Sequence, residues 1–271
     1  MPVPGQPNYT IVWSDDFSGP KGSSPDTSKW DIVNRGPNEG NREVQTYTSS
    51  TNSASLSGNG ALHITPQKDN NGHWTSARLE GKSAFSCPDG HRMILQAELR
   101  TGTFPFDQQA GIWPAFWALG KNIRNNPSVP WPECGEWDVM ENAHGVDYTL
   151  ASLHYGLHGG EQISQGGPSA KKTFTVEAFH TFAIKINRGA SDWLDEKIQW
   201  YVDGENFYTV TGAQVNDPVL WGNIAHKAFF PILNVAVGSN FPAVGGQPDS
   251  KTVGGLGGGM QVKYVAFYKS N

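Results

Sequence analysis

The chain has 271 residues, with 20 Lys and Arg against 25 Asp and Glu, a net charge of -5 and 17% charged residues. No basic field is present to hold nucleic acid or an anionic membrane surface, and no run of about 18 apolar residues exists to span a bilayer. The 32 glycines and 18 prolines argue for many turns and few long helices, and the 10 Trp supply flat apolar faces suited to stacking on a neutral partner such as a sugar polymer.

In chain order, Met1–Pro7 has neither a charged n-region nor an apolar h-region, so no signal peptide is expected within this chain. Asn8-Tyr9-Thr10 is a sequon, compatible with secretion. Short segments rich in β-branched and aromatic residues follow, with period-2 alternation: Tyr9–Trp13, Ala61–Thr65, Phe182–Ile186 and Met260–Tyr268. Lys197–Val202 and Glu205–Val210 flank Asp203-Gly204, the pair a type I′ hairpin turn needs. Gly159–Gly167 and Gly254–Gly259 read as loops. No repeat and no linker interrupts the chain, so residues 1–271 are expected to form a single domain. Cys87 and Cys134 give no disulfide framework and no Cys-based zinc site. They form either one bridge or two buried thiols. The expected fold is all-β, a sandwich of two curved antiparallel sheets with a groove.

The segment richest in chemistry is Trp131-Pro-Glu-Cys-Gly-Glu-Trp-Asp-Val-Met-Glu-Asn-Ala-His-Gly145. In a strand, Glu136 and Asp138 share one face, while Trp137 and Val139 take the other. Glu141 falls on the wrong face unless a β-bulge adds one residue, and Met140 is the candidate extra residue. Three carboxylates on one face repel each other and need a ligand, a shared proton or a metal. A solvated acidic edge is the plainest reading. Calcium is a second, although Trp137 and Met140 supply no ligands and a calcium loop would usually bring more oxygens and a Gly turn. The third is glycosidic bond cleavage, which needs one carboxylic acid to protonate the leaving oxygen and a second carboxylate at the cationic sugar centre. Negative neighbours would keep the acid protonated near neutral pH.

Glu136-Trp-Asp-Val-Met-Glu141 resembles the E-x-D-x-x-E signature of glycoside hydrolase family 16, the laminarinase and lichenase group, with Trp137 where an aliphatic residue is more usual. Other blocks are similar in the same order: Val12–Phe17, Asn41–Tyr47 (N-x-E-x-Q-x-Y), Ser76–Leu79, Gly111–Gly120 (containing W-P-A-F-W), Trp200–Gly204 and Pro231–Gly238. The resemblance implies a β-jelly-roll with a substrate cleft on the concave sheet. It implies retaining endo-hydrolysis of β-1,3- or mixed β-1,3/1,4-glucan, with Glu136 as nucleophile, Glu141 as general acid/base and Asp138 assisting. A β-glucan transglycosylase on the same site and a non-catalytic glucan-binding module are the alternatives.

The resemblance also brings further residues toward the cleft. Trp113 and Trp117, four apart and on one strand face, match sugar-stacking positions, with core packing as the alternative. Arg78 matches a substrate-facing arginine, against a surface salt bridge. Asn41 matches a cleft asparagine, against simple turn chemistry, and His154 a cleft histidine, against a structural one. Many family members bind a structural calcium on the convex side, held in part by an aspartate of the last strand. Lys263 stands at that position here, and its ammonium would repel a cation. No metal and no cofactor are therefore expected. The expected partner is a β-glucan polysaccharide or oligosaccharide, and a secreted monomer is expected, with neither nucleic acid nor membrane as partner.

Overall fold

The computed structural model describes residues 3–37, 40–126, 128–240 and 246–271. Two large antiparallel sheets face each other. The cleft sheet has seven strands in the spatial order Ile163–Thr173, Tyr148–Tyr155, Glu136–Glu141, Ile112–Gly120, Phe229–Val237, Arg78–Gly81 and Trp30–Ile32. The outer sheet runs Glu205–Thr211, Lys197–Val202, His180–Asn187, Arg92–Thr101, Met260–Ser270, Leu62–Ile64 and Ala54–Leu56, with Tyr9–Asp15 also paired to Met260–Ser270. A small third sheet joins Gln45–Tyr47, Trp74–Ser76 and Gln67–Lys68. The α-helices among the described residues are single turns of four residues, such as Gly212–Val215 and Pro218–Trp221.

The alternation read from the sequence is the alternation that packs. One buried cluster draws on both sheets, from Phe17 to Phe267, and takes in Phe116, Trp137, Trp200 and Val235. Along Ile112–Gly120, Ile112, Phe116 and Ala118 enter that core, while Trp113, Ala115, Trp117 and Leu119 face a cleft on the other side, as a period of two requires. Asp203 and Gly204 have φ of 49° and 79°, which a type I′ turn needs at both central positions. Val202 pairs directly with Glu205 across that turn. Trp200 is fully buried in the hairpin. No helix among the described residues is long and apolar enough to cross a membrane.

Cys87 and Cys134 are both buried, unpaired thiols. Burial pushes Cys87 up to about 11 and Cys134 up to about 12, so neither offers a reactive thiolate at neutral pH. Lys263 lies in a register shift of the last strand. Its ammonium bonds Glu98 Oε1 at 2.5 Å and sits 4.3 Å from the centre of the Phe179 ring, so a cation already occupies that position.

Candidate active site

The expected bulge is present. Asp138 pairs with Ser152 and Glu141 with Leu150, so two residues, Val139 and Met140, stand against one, Ala151. On the other side, Asp138 pairs with Trp117 and Met140 with Phe116. The residue left over in that ladder is Val139, and not Met140 as the sequence reading had it. Both Val139 and Met140 consequently enter the core, and Glu141 swings to the face of Glu136 and Asp138. The core side holds the strand firmly. Trp137 is fully buried, stacks on Phe229 with ring centres 3.7 Å apart and donates its indole N–H to Ile224 O at 2.8 Å. Trp200 reaches across the sandwich from the outer sheet and donates to Asp138 O at 2.8 Å, beside the bulge where the ladder is interrupted.

A cleft of about 870 Å³ opens over this sheet. Its lining includes all eight residues singled out from the sequence: Asn41, Arg78, Trp113, Trp117, Glu136, Asp138, Glu141 and His154. The three carboxylates are enclosed. Asp138 is 4% exposed and Glu141 7%. Glu136 Oε2 accepts from Trp131 Nε1 at 3.0 Å, and Glu141 Oε2 accepts from Ser152 Oγ at 3.3 Å. His154 is the register partner of Glu136. Its Nε2 lies 3.2 Å from Asp138 Oδ2 and 4.0 Å from Glu136 Oε1.

This environment favours protonated carboxyls. Burial first, and then the neighbouring Asp138, pushes Glu136 up to about 8, against the opposing pull of His154, Trp131 and Arg78. Burial likewise raises Asp138. Glu141 is raised well above the ordinary range by burial and by its two acidic neighbours. Carboxyls this close share protons as a set, and the set retains a proton at neutral pH. One member can therefore act as an acid while another is an anion.

The remaining called residues sit around these three. Trp117 donates to Asn234 Oδ1 at 2.7 Å, and Asn234 Nδ2 donates to Tyr47 Oη at 3.0 Å, which fixes the plane of the indole. The Arg78 guanidinium stacks 4.7 Å from the centre of that ring and pairs with Glu80 Oε1 at 2.8 Å. Arg78 thus faces the cleft and makes an ion pair as well, although at 9% exposure the pair is no surface bridge. Asn41 sits exposed at the lip. Its backbone N–H and its amide donate to the two oxygens of the buried Glu43 at 2.9 and 3.3 Å.

Sequence reading missed Trp131, Glu43, Tyr47, Ser152, Gln162 and Asn234, all in the lining. Glu43, Tyr47 and Asn234 lie inside blocks already quoted for their resemblance, of which only Asn41 was taken up as a site residue. Trp131 stands five residues before Glu136, on a loop anchored by two glycines. Gly135 has φ +79°, and a Cβ on Gly120 would fall 1.8 Å from Cys134 O. Only glycine fits that close approach.

Comparison with known proteins agrees with this geometry. The model of glycosyl hydrolases family 16 matches residues 42–232. A beta-glucanase of Rhodothermus marinus is 32% identical over 89% of this chain and 79% of its own length. Glucan endo-1,3-beta-glucosidase A1 of Niallia circulans is 30% identical over 98% of this chain, and the chain spans only 39% of that protein's length. The crystal structure of an endo-1,3-beta-glucanase from Streptomyces sioyaensis superposes with a TM-score of 0.87 at 38% identity, covering 99% of each chain. With the fold, the bulged carboxylate strand and the cleft already in hand, these matches place the chain in glycosyl hydrolases family 16, and it is a glycoside hydrolase.

Proposed function

We propose that the chain hydrolyses β-1,3-linked glucan, or mixed β-1,3/1,4-glucan, at internal bonds and with retention of configuration. The observation that carries this reading is the set of three carboxylates, Asp138 and Glu141 buried and Glu136 half-buried, on one face of the bulged strand, in a cleft lined by Trp113 and Trp117. Indole faces suit the apolar faces of pyranose rings. A cleft formed over a broad sheet suits a polymer entered along its length.

In the proposed reaction Glu136 attacks the anomeric carbon as a carboxylate. The protonated Glu141 gives its proton to the glycosidic oxygen as the carbon–oxygen bond breaks, and a glycosyl ester on Glu136 remains. Glu141, now an anion, takes a proton from water. The water oxygen attacks the anomeric carbon and frees Glu136. Asp138 lies between the two and holds a proton against Glu136 while that residue is idle. Arg78 and Asn41 supply donors to sugar hydroxyls. The acting unit is residues 1–271 as one catalytic domain, a secreted monomer.

A reducing-end assay across laminarin, lichenan, barley glucan and agarose tests the substrate. Release from laminarin with none from agarose is expected, and no release from any β-glucan would leave a binding module. Proton NMR of the first product tests retention, with the β-anomer expected before mutarotation. Longer products at high oligosaccharide concentration would instead favour glycosyl transfer.

A further inference from the structure

The carboxylates are linked to residues two strands away. Glu136, His154 and Ser164 are register partners on three adjacent strands of the cleft sheet. On the carboxylate side, His154 presents Nε2 to Asp138 Oδ2 and Glu136 Oε1. On the far side, Gln162 Nε2 lies 2.8 Å from His154 Nδ1 and donates to Ser164 Oγ at 2.9 Å, and Ser164 Oγ is itself 2.8 Å from Nδ1. An amide nitrogen can only donate. With the Gln162 amide turned this way Nδ1 is the acceptor, the arrangement that goes with the ring proton on Nε2. That choice matters to the acidic cluster. Asp138 Oδ2 is buried without a hydrogen bond of good geometry, and with the other tautomer a nitrogen lone pair would face it at 3.2 Å.

We propose that Gln162 and Ser164 are positioning residues that hold His154 in the Nε2–H tautomer, aimed at Asp138 and Glu136. The proposal rests on the catalytic reading above and deepens it. The groups facing His154 are Glu136 and Asp138 from one side, Ser164 and Gln162 from the other, and the Trp131 ring with its centre 6.2 Å away. The pair is exposed, so substitutions there leave the core intact. It orients a ring that touches the reacting carboxylates without itself meeting the scissile bond.

The test compares Gln162→Ala, Gln162→Glu and Ser164→Ala by kcat and KM on laminarin, together with the nitrogen-15 spectrum of the imidazoles. The His154 signals are identified by their loss in His154→Gln. In the wild type the spectrum should show Nδ1 bare and Nε2 protonated. Gln162→Glu should lower kcat roughly tenfold more than Gln162→Ala, with KM little changed, because a carboxylate only accepts and demands a proton on Nδ1. Ser164→Ala should lower kcat less than either. A purely structural role predicts the reverse order, since Glu nearly matches Gln in shape. An Nδ1–H ring in the wild type, or Gln162→Glu no worse than Gln162→Ala, would overturn the proposal. The spectrum reads the tautomer whether or not glucan is cleaved, so failure of the activity and failure of this inference are separable.

Discussion

Buried and half-buried carboxylates of two kinds occupy this sandwich. Glu196, 3% exposed, accepts from Arg188 Nε at 3.1 Å and from Trp221 Nε1, and pairs with His226 Nε2 at 2.6 Å. Glu80, on the cleft sheet, is gripped by Arg78 and Arg124 at 2.8 Å each. Burial works to raise Glu80, yet the two guanidiniums hold it below the ordinary carboxylate range. Glu136, Asp138 and Glu141 meet instead an indole, an imidazole and a hydroxyl. All three are pushed the other way. A carboxylate that holds the fold is matched with cations that keep it ionised. One proposed to transfer protons is left short of cations, an environment in which it can keep a proton to give.

The strongest way to break this contrast is at the cleft. Glu136→Gln and Glu141→Gln should each lower kcat on β-glucan by at least about 10³-fold, with circular dichroism unchanged. Either variant retaining most of its activity would remove that residue from the reaction. At Glu196 the loss should fall on the fold instead. Glu196→Gln leaves Arg188 short of a buried partner and should cost about 3 kcal/mol in a urea titration, with kcat close to wild type.

The dependence on pH sharpens the contrast further, because the two kinds of site carry opposite signs. The cleft carboxyls have folded values above their unfolded ones. Their favourable contribution is complete below the unfolded value and is lost as pH rises toward about 8, the value for Glu136. Glu136→Gln should therefore gain melting temperature over wild type by an amount that grows across that window. Glu80 is depressed, so its contribution is present above the ordinary value and lost as pH falls through its folded one. Glu80→Gln should cost most near neutrality and least in acid. Equal pH trends for the two variants would erase the distinction. The smallest expected effect is that of calcium. Added calcium should leave the melting temperature unmoved, since Lys263 pairs with Glu98 where a cation would sit, and a calcium-dependent rise would show binding there.

Much of this molecule was legible in the residues. Period-2 runs such as Met260–Tyr268 and the Asp203-Gly204 turn announce their strands and hairpin, because local sterics and one-sided burial set them. The crowding of Glu136, Asp138 and Glu141 without a basic neighbour in the segment is visible without coordinates, and so is the need for a bulge. Which residue the bulge adds was not legible. Val139 and Met140 are both apolar, and only pairing with Ile112–Gly120 separates them.

The sequence by itself determined the all-β class, the strand that carries the acids and its need for a bulge, since each follows from neighbours a few positions apart, while Asn41, Arg78, Trp113, Trp117 and His154 came to the cleft through the family resemblance. Only the tertiary structure decided which partners those residues have. Trp200 meets the Asp138 carbonyl 62 positions away, and Asn234 meets Tyr47 from 187 positions away. Gln162 reaches a histidine on the neighbouring strand. Hydrogen bonds and charge effects act through space over a few ångströms, and which groups lie that close is settled only when the two sheets and their loops close on one another.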